Sequence, residues 1–102
     1  LTLPMLSVGA SGVISVLANI VPRDLSDMIA SFDRGDLAEA RRLHNKLLPL
    51  CQAMFIETNP IPVKTAMELL GMCSGELRLP LAAMAQGNRK KLVEALRDYD
   101  LL

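Results

Sequence analysis

The chain has few aromatic residues and no excess of charge of either sign. Its 102 residues include only three aromatic side chains, Phe32, Phe55 and Tyr99, and no tryptophan. Lysine and arginine total 11, aspartate and glutamate also total 11, and the formal net charge is zero. The sequence therefore offers neither a stacking platform for bases nor a basic patch for a phosphate backbone, which argues against nucleic-acid binding.

Cysteine and histidine are also scarce. Cys51 and Cys73 do not form a CxxC pair and cannot build a disulfide framework, so a reduced cytosolic setting with small core-filling thiols is the simpler interpretation. His44 is the only histidine, and no Asp, Cys or second His lies at metal-ligand spacing from it. We expect a partly exposed helical histidine rather than a metal ligand or a catalytic base.

Apolar residues make up 51% of the chain against 22% charged, which is too apolar for a disordered protein. Residues 1–22 contain no charged side chain, and this stretch is long enough to suggest a membrane helix. Gly9, Gly12 and Asn19 interrupt helical continuity there, and no positive segment precedes the stretch. We expect it to be buried inside a protein, and the start at Leu1 suggests an incomplete chain.

The run Gly12–Leu17 is rich in β-branched residues and predicts a strand covered on both faces, as in a parallel sheet. Residues 3–8 read as the end of a helix, with Gly9 at its C-terminal cap. No second strand of this kind follows. A lone buried strand would leave backbone groups unpaired at ~1–3 kcal/mol each, so its partners are expected in missing sequence or in another chain.

The rest of the chain has helical spacing. Asp36 and Glu39 are a capping pair for a long helix, in which Pro49 predicts a kink. Its apolar stripe is predicted to be Leu37, Ala40, Leu43, Leu47, Cys51, Met54 and Phe55. Helices are expected over 22–35, from 37 through the stripe, over 63–70 and from a cap at Asn88 onward, with 77–81 extended.

No complete catalytic constellation is evident from the pattern alone. Lys64 follows two prolines, but it falls in the first turn of a helix with polar flanks, and a Schiff-base lysine needs desolvation or a neighbouring cation. The carboxylates on and after the first long helix are expected to be caps and a solvated face rather than an acid/base pair. These are Asp24, Asp27, Asp33 and Asp36.

Four motifs occur in an order that resembles one known family. They are Gly-Val-Ile-Ser-Val at 12–16 followed by Ala18-Asn19, Gly-Asp-Leu-Ala-Glu-Ala-Arg at 35–41, Asn-Pro-Ile-Pro-Val-Lys at 59–64 and Arg-Leu-Pro-Leu at 78–81. Together they resemble the C-terminal third of the dihydrodipicolinate synthase family. The resemblance implies an α/β fold: the end of a (β/α)8 barrel over 1–35 (end of helix 7, strand 8, helix 8) and an all-α C-terminal helical extension over 36–102.

The resemblance also implies a function. The family is a set of lyases that condense pyruvate with aspartate semialdehyde to 4-hydroxy-tetrahydrodipicolinate, in diaminopimelate and lysine biosynthesis. The Schiff-base lysine lies upstream, so this segment alone is predicted to be inactive and to contain no catalytic residue. Ile14 matches the isoleucine that contacts bound pyruvate. The whole enzyme is expected to be a cytoplasmic homotetramer without metal or organic cofactor and without nucleic-acid or membrane partners.

Two alternatives remain open on the sequence. A related pyruvate-dependent aldolase, of the sialic acid or ketodeoxygluconate lyase type, would share the barrel and the Schiff base. A stand-alone, non-catalytic helical module would keep only the end of the barrel. The motif at 59–64 favours the synthase, and the unpaired strand counts against the module because exposed strand edges promote aggregation.

Overall fold

The computed structural model describes all 102 residues and contains helices but no β-strand. The helices are α1 (Thr2–Ser7), a 3-10 helix (Val16–Asn19), α2 (Pro22–Asp33), α3 (Leu37–Ala53), α4 (Ile61–Leu69) and α5 (Gln86–Asp98). The chain divides into two compact units, Leu1–Leu48 and Pro49–Leu102. No helix combines the length and the apolar character that crossing a membrane would require.

The predicted strand at Gly12–Leu17 is absent from the structure. Residues 10–15 have no regular structure, and a 3-10 helix begins at Val16. Ser15 has extended backbone angles (φ −110°, ψ 138°), so the chain adopts a strand-like conformation without becoming a strand. The physical reason is that no second extended segment pairs with it, and a strand is defined by its ladder of hydrogen bonds to a neighbour.

The first two helices of the Leu1–Leu48 unit follow the sequence prediction. α1 ends before Gly9, whose φ of +105° is a conformation that glycine adopts without strain. α2 starts at Pro22, where the missing N–H removes no helical hydrogen bond, and α2 packs against both α1 and the 3-10 helix. Its buried residues are Leu25, Met28 and Ser31.

Of the two reciprocal hydrogen bonds that a capping pair at Asp36 and Glu39 can form, one is present in α3. The backbone N–H of Glu39 donates to Oδ1 of Asp36 at 3.1 Å. The carboxylate of Glu39 does not return to the cap; it accepts from Nε and Nη2 of Arg42 at 2.8 and 2.6 Å. A full capping box therefore does not form, because the arginine one turn later competes for the glutamate.

The apolar stripe of α3 is confirmed in its middle and wrong at its two ends. Leu37 is 44% exposed and Phe55 is 58% exposed. Phe55 lies beyond the last helical residue, Ala53, so helical spacing no longer sets its direction. α3 continues through Pro49 without ending there. Buried side chains along the helix and just after it are Ala40, Leu43, Leu47, Leu50, Ala53 and Met54.

In the Pro49–Leu102 unit, α4 and α5 pack together and each begins slightly before its predicted start. α4 begins at Ile61, with Pro62 in its first turn, a position that proline favours. α5 begins at Gln86 after an N-cap at Ala85, so the prediction that Asn88 caps this helix is wrong. The fully buried leucines of α5 are Leu92 and Leu96. Residues 77–81 run as a loop with a turn, closed by a bond from Leu81 N–H to the carbonyl of Arg78 at 3.0 Å.

Candidate functional site

The residue singled out from the sequence, Ile14, lies in the irregular segment ahead of the 3-10 helix and is fully exposed. Its neighbour Val13 is 41% exposed. No backbone N–H from Ser11 to Ser15 donates a hydrogen bond to another group of the chain. This short segment, 11–15, therefore presents apolar side chains and unpaired backbone donors together, a combination that leaves room for a strand partner on its edge.

The end of this segment is held firmly. The Ser15 hydroxyl accepts from the N–H of Leu17 at 3.2 Å, and the amide of Asn19 donates to the carbonyl of Val16 at 3.0 Å. Leu17 is 4% exposed, and the 3-10 helix packs on α2. The fold thus fixes the direction in which the chain leaves the segment while Ile14 itself makes no buried contact.

The other sequence candidates do not assemble into a reaction centre. His44 is half-buried and lines an apolar groove of about 270 Å³ with Leu3, Phe32 and Leu37. No group of three or more His, Cys, Asp or Glu side chains could hold a metal ion. Neither cysteine is in a disulfide. The prediction that His44 is a partly exposed helical residue is confirmed.

Two of the four carboxylates on and after α2, Asp24 and Asp36, are used in ion pairs and a cap. Asp24 Oδ2 accepts from Lys46 Nζ at 2.7 Å. Asp36, besides capping α3, lies 3.9 Å from the guanidinium of Arg34. Hydrogen bonding from Arg42 holds the pKa of Glu39 below its ordinary value; the Arg42 side chain is exposed and the Glu39 side chain is half-buried. These groups pair with cations along the surface and do not converge as an acid and a base.

Sequence reasoning missed one grouping that the structure brings together. Lys64 ends the motif at 59–64 and Arg78 begins the motif at 78–81, and both side chains line one cleft. The two motifs are 13 residues apart along the chain, so spacing along a single helix or strand cannot reveal the grouping. The only signal in the sequence is that each motif carries one cation beside prolines.

Comparison with known proteins identifies the class to which this chain belongs. The model of the Dihydrodipicolinate synthetase family matches residues 1–99. The chain therefore belongs to that family, and its helices correspond to part of the family's barrel fold. This agrees with the resemblance carried by the four sequence motifs.

Individual relatives narrow the comparison. The chain is 59% identical over all 102 residues to the 4-hydroxy-tetrahydrodipicolinate synthase of Endomicrobium trichonymphae, covering 35% of that protein. It is 54% identical, with the same coverage, to the synthase of that name in Geobacter sulfurreducens. The chain thus spans about a third of the length of the curated relatives it matches.

Solved structures agree with these relatives. Dihydrodipicolinate synthase from Thermotoga maritima matches 99% of this chain and 34% of its own with a TM-score of 0.96 and 42% identity. The enzyme from Aquifex aeolicus matches 98% of this chain and 34% of its own with a TM-score of 0.95 and 51% identity.

Proposed function

We propose that this chain is part of a 4-hydroxy-tetrahydrodipicolinate synthase, a lyase that condenses pyruvate with aspartate semialdehyde through a Schiff base in lysine and diaminopimelate biosynthesis. The observation that carries the proposal is the identity, across the whole chain, to curated proteins of that name. No observation favours a sialic acid or ketodeoxygluconate lyase. Because the chain spans about a third of those relatives, the activity belongs to the longer protein.

Residues 1–35 are proposed to close the barrel and 36–102 to form its helical extension. The unpaired N–H groups of 11–15 support this division, since a barrel strand receives its hydrogen bonds from the two strands beside it. Within this chain those bonds have no partner. In the complete enzyme they would be made to the first and seventh strands, and the segment 11–15 would become the eighth.

Ile14 is proposed to form part of the apolar wall against the methyl group of pyruvate. Active sites of such barrels lie at the carboxyl ends of the strands, and Ile14 lies close to the end of the proposed strand, just before the turn at Val16. An isoleucine supplies no proton and no charge, so its contribution is shape and exclusion of water. Its full exposure supports a role that is completed by groups outside this chain.

The Schiff-base nucleophile is proposed to lie outside residues 1–102. Lys46 Nζ is engaged in an ion pair with Asp24 at 2.7 Å, which leaves it poorly placed to attack a carbonyl. Lys90 and Lys91 are exposed on α5, and Lys64 is only half-buried. None is fully buried, whereas a Schiff-base lysine is typically activated in desolvated surroundings. The segment alone is therefore expected to be inactive.

The complete enzyme is proposed to act as a cytoplasmic homotetramer without metal or organic cofactor. Large apolar side chains that remain exposed support a larger assembly, because such surface is normally covered. They occur in both compact units and include Leu1, Met5, Val8, Phe55, Met72 and Leu79.

Reduction with borohydride in the presence of pyruvate tests the proposal. The full-length protein should gain one pyruvate-derived adduct per chain in an intact mass spectrum. Peptide mapping should place the adduct on a lysine outside residues 1–102. An unmodified full-length protein would overturn the Schiff-base mechanism, and an adduct on Lys64 would overturn the assignment of the nucleophile to another segment.

A further inference from the structure

A second candidate site lies within the Pro49–Leu102 unit. The start of α4 and the loop 74–81 enclose a cleft of about 480 Å³. This volume falls within the range of about 300–1,000 Å³ that small-molecule pockets occupy. Ile14, the residue proposed to contact pyruvate, does not line this cleft.

Two cations from different segments line the cleft, Lys64 on α4 and Arg78 on the loop. Neither forms an ion pair with a carboxylate or a hydrogen bond with another side chain. Lys64 also lies in the first turn of α4, where the helix dipole adds positive potential. The two cations outnumber the one carboxylate that lines the cleft, that of Glu76, and this balance favours an anionic ligand.

The donors in the cleft suit a phosphate group. The Ser74 hydroxyl accepts the N–H of Glu76 at 3.2 Å, which leaves its own O–H free to donate. Arg78 offers a planar fork and Lys64 a compact point charge. These three kinds of donor match the several acceptor oxygens of a phosphate, and the arginine fork can engage two of them at once.

The rest of the cleft is partly apolar. Pro60 and Leu81 line it beside the cations, and its volume exceeds what a bare phosphate ion fills. We propose that this cleft binds a small phosphate-bearing metabolite, with Lys64, Arg78 and Ser74 holding the phosphate and the apolar wall contacting the organic part. This proposal does not rest on the proposed synthase activity.

Glu76 provides an internal check on this proposal, because its exposed carboxylate also lines the cleft. A negative charge at this position weakens the attraction for an anion. Removing that charge must therefore strengthen binding, whereas removing either cation must weaken it. A purely structural role for these residues predicts no such opposite pair of effects.

Isothermal titration of the full-length protein with glycerol 3-phosphate and with inorganic phosphate, at fixed ionic strength and saturating pyruvate, tests the site. One saturable site per chain is expected. Lys64→Met and Arg78→Met should each weaken binding about tenfold, the scale of one lost charge-assisted hydrogen bond. Glu76→Gln should tighten it severalfold, and Lys91→Met, on exposed α5, should leave it unchanged.

Comparing the affinities for the two probes distinguishes a phosphate ester from free phosphate as the ligand. Tighter binding of glycerol 3-phosphate supports an ester as the ligand, and equal binding supports the free ion at the same site. Absence of saturable binding, or equal affinity in the wild type and the three cleft variants, would overturn the proposal. Glu76→Gln keeps the test valid if a cation variant misfolds, since Glu76 is exposed. Borohydride trapping of pyruvate reports separately on the synthase activity.

Discussion

The segment 11–15 and the start of α5 differ in whether their N–H groups find acceptors within the chain. In the segment 11–15, no N–H group finds a partner within the chain. At the start of α5, by contrast, Oε1 of Glu57 accepts from the N–H of Ala85 at 3.0 Å and from the side-chain amide of Asn88 at 2.8 Å. The start of α5 is therefore held by a partner within its own unit. The segment 11–15, by contrast, is proposed to find its partners beyond residues 1–102.

The largest expected effect on the free energy of unfolding comes from the core of the Pro49–Leu102 unit. Leu92 is fully buried in α5, so Leu92→Ala in the full-length protein should lower the free energy of unfolding by about 2–5 kcal/mol. Its exposed neighbour is the control: Lys91→Ala should change it by less than about 0.5 kcal/mol. Chemical denaturation measures both. Equal losses would mean that α5 does not bury the face described here.

Ile14→Asp should affect ligand binding far more than folding. A carboxylate at this position would repel the carboxylate of pyruvate, so we expect the affinity for pyruvate to fall at least about tenfold. Ile14→Val keeps an apolar wall and serves as the control, with a change of less than about threefold. The concentration of pyruvate that gives half-maximal borohydride trapping measures the effect. Unchanged affinity in a folded Ile14→Asp protein would remove Ile14 from the site.

A smaller loss of stability is expected at Glu57, which accepts the two hydrogen bonds at the start of α5. Glu57→Ala leaves the Asn88 amide, which is half-buried, without its acceptor and should cost about 1–3 kcal/mol in the free energy of unfolding. Glu57→Gln keeps an oxygen acceptor and should cost less. Thermal or urea unfolding distinguishes them. If Glu57→Ala is as stable as the wild type, the bonds to α5 contribute nothing measurable.

The smallest effect concerns the ion pair of Glu39 and Arg42 on α3. Arg42 lowers the pKa of Glu39, so the pair stabilises the folded state above the ordinary carboxyl pKa and loses that contribution as the pH falls through the lowered value. Arg42→Gln should return the pKa of Glu39 toward its ordinary value, and Arg41→Gln should leave it lowered. Titration of the Glu39 carboxyl by NMR measures its pKa in the wild type and in both variants. An unchanged pKa in Arg42→Gln would contradict the pairing.

Local signals predicted the helices well because they act over a few residues. Pro22 and Gly35 mark the start and end of α2, and both effects are built into the backbone of those residues. The prediction that Asn88 caps α5 is wrong because, although asparagine is a common cap, its amide donates to Glu57, 31 residues away. No local pattern records such a partner.

The predicted strand and the cleft both depend on partners that a local sequence pattern does not reveal. The β-branched run at 12–17 has the composition of a buried strand, but a strand also needs a neighbour, which this chain does not supply. Lys64 and Arg78 meet in one cleft only because α4 and the loop after it fold back on each other. The motifs placed the chain in its family, while the grouping of these two cations required the coordinates.

Turnover of the full-length protein with pyruvate and a choice of second substrate distinguishes the proposed synthase from a related aldolase. We expect formation of 4-hydroxy-tetrahydrodipicolinate from aspartate semialdehyde, with little consumption of N-acetylmannosamine or glyceraldehyde under the same conditions. Preferential condensation of either competitor, or no turnover of aspartate semialdehyde by a protein that traps pyruvate, would contradict the proposed function.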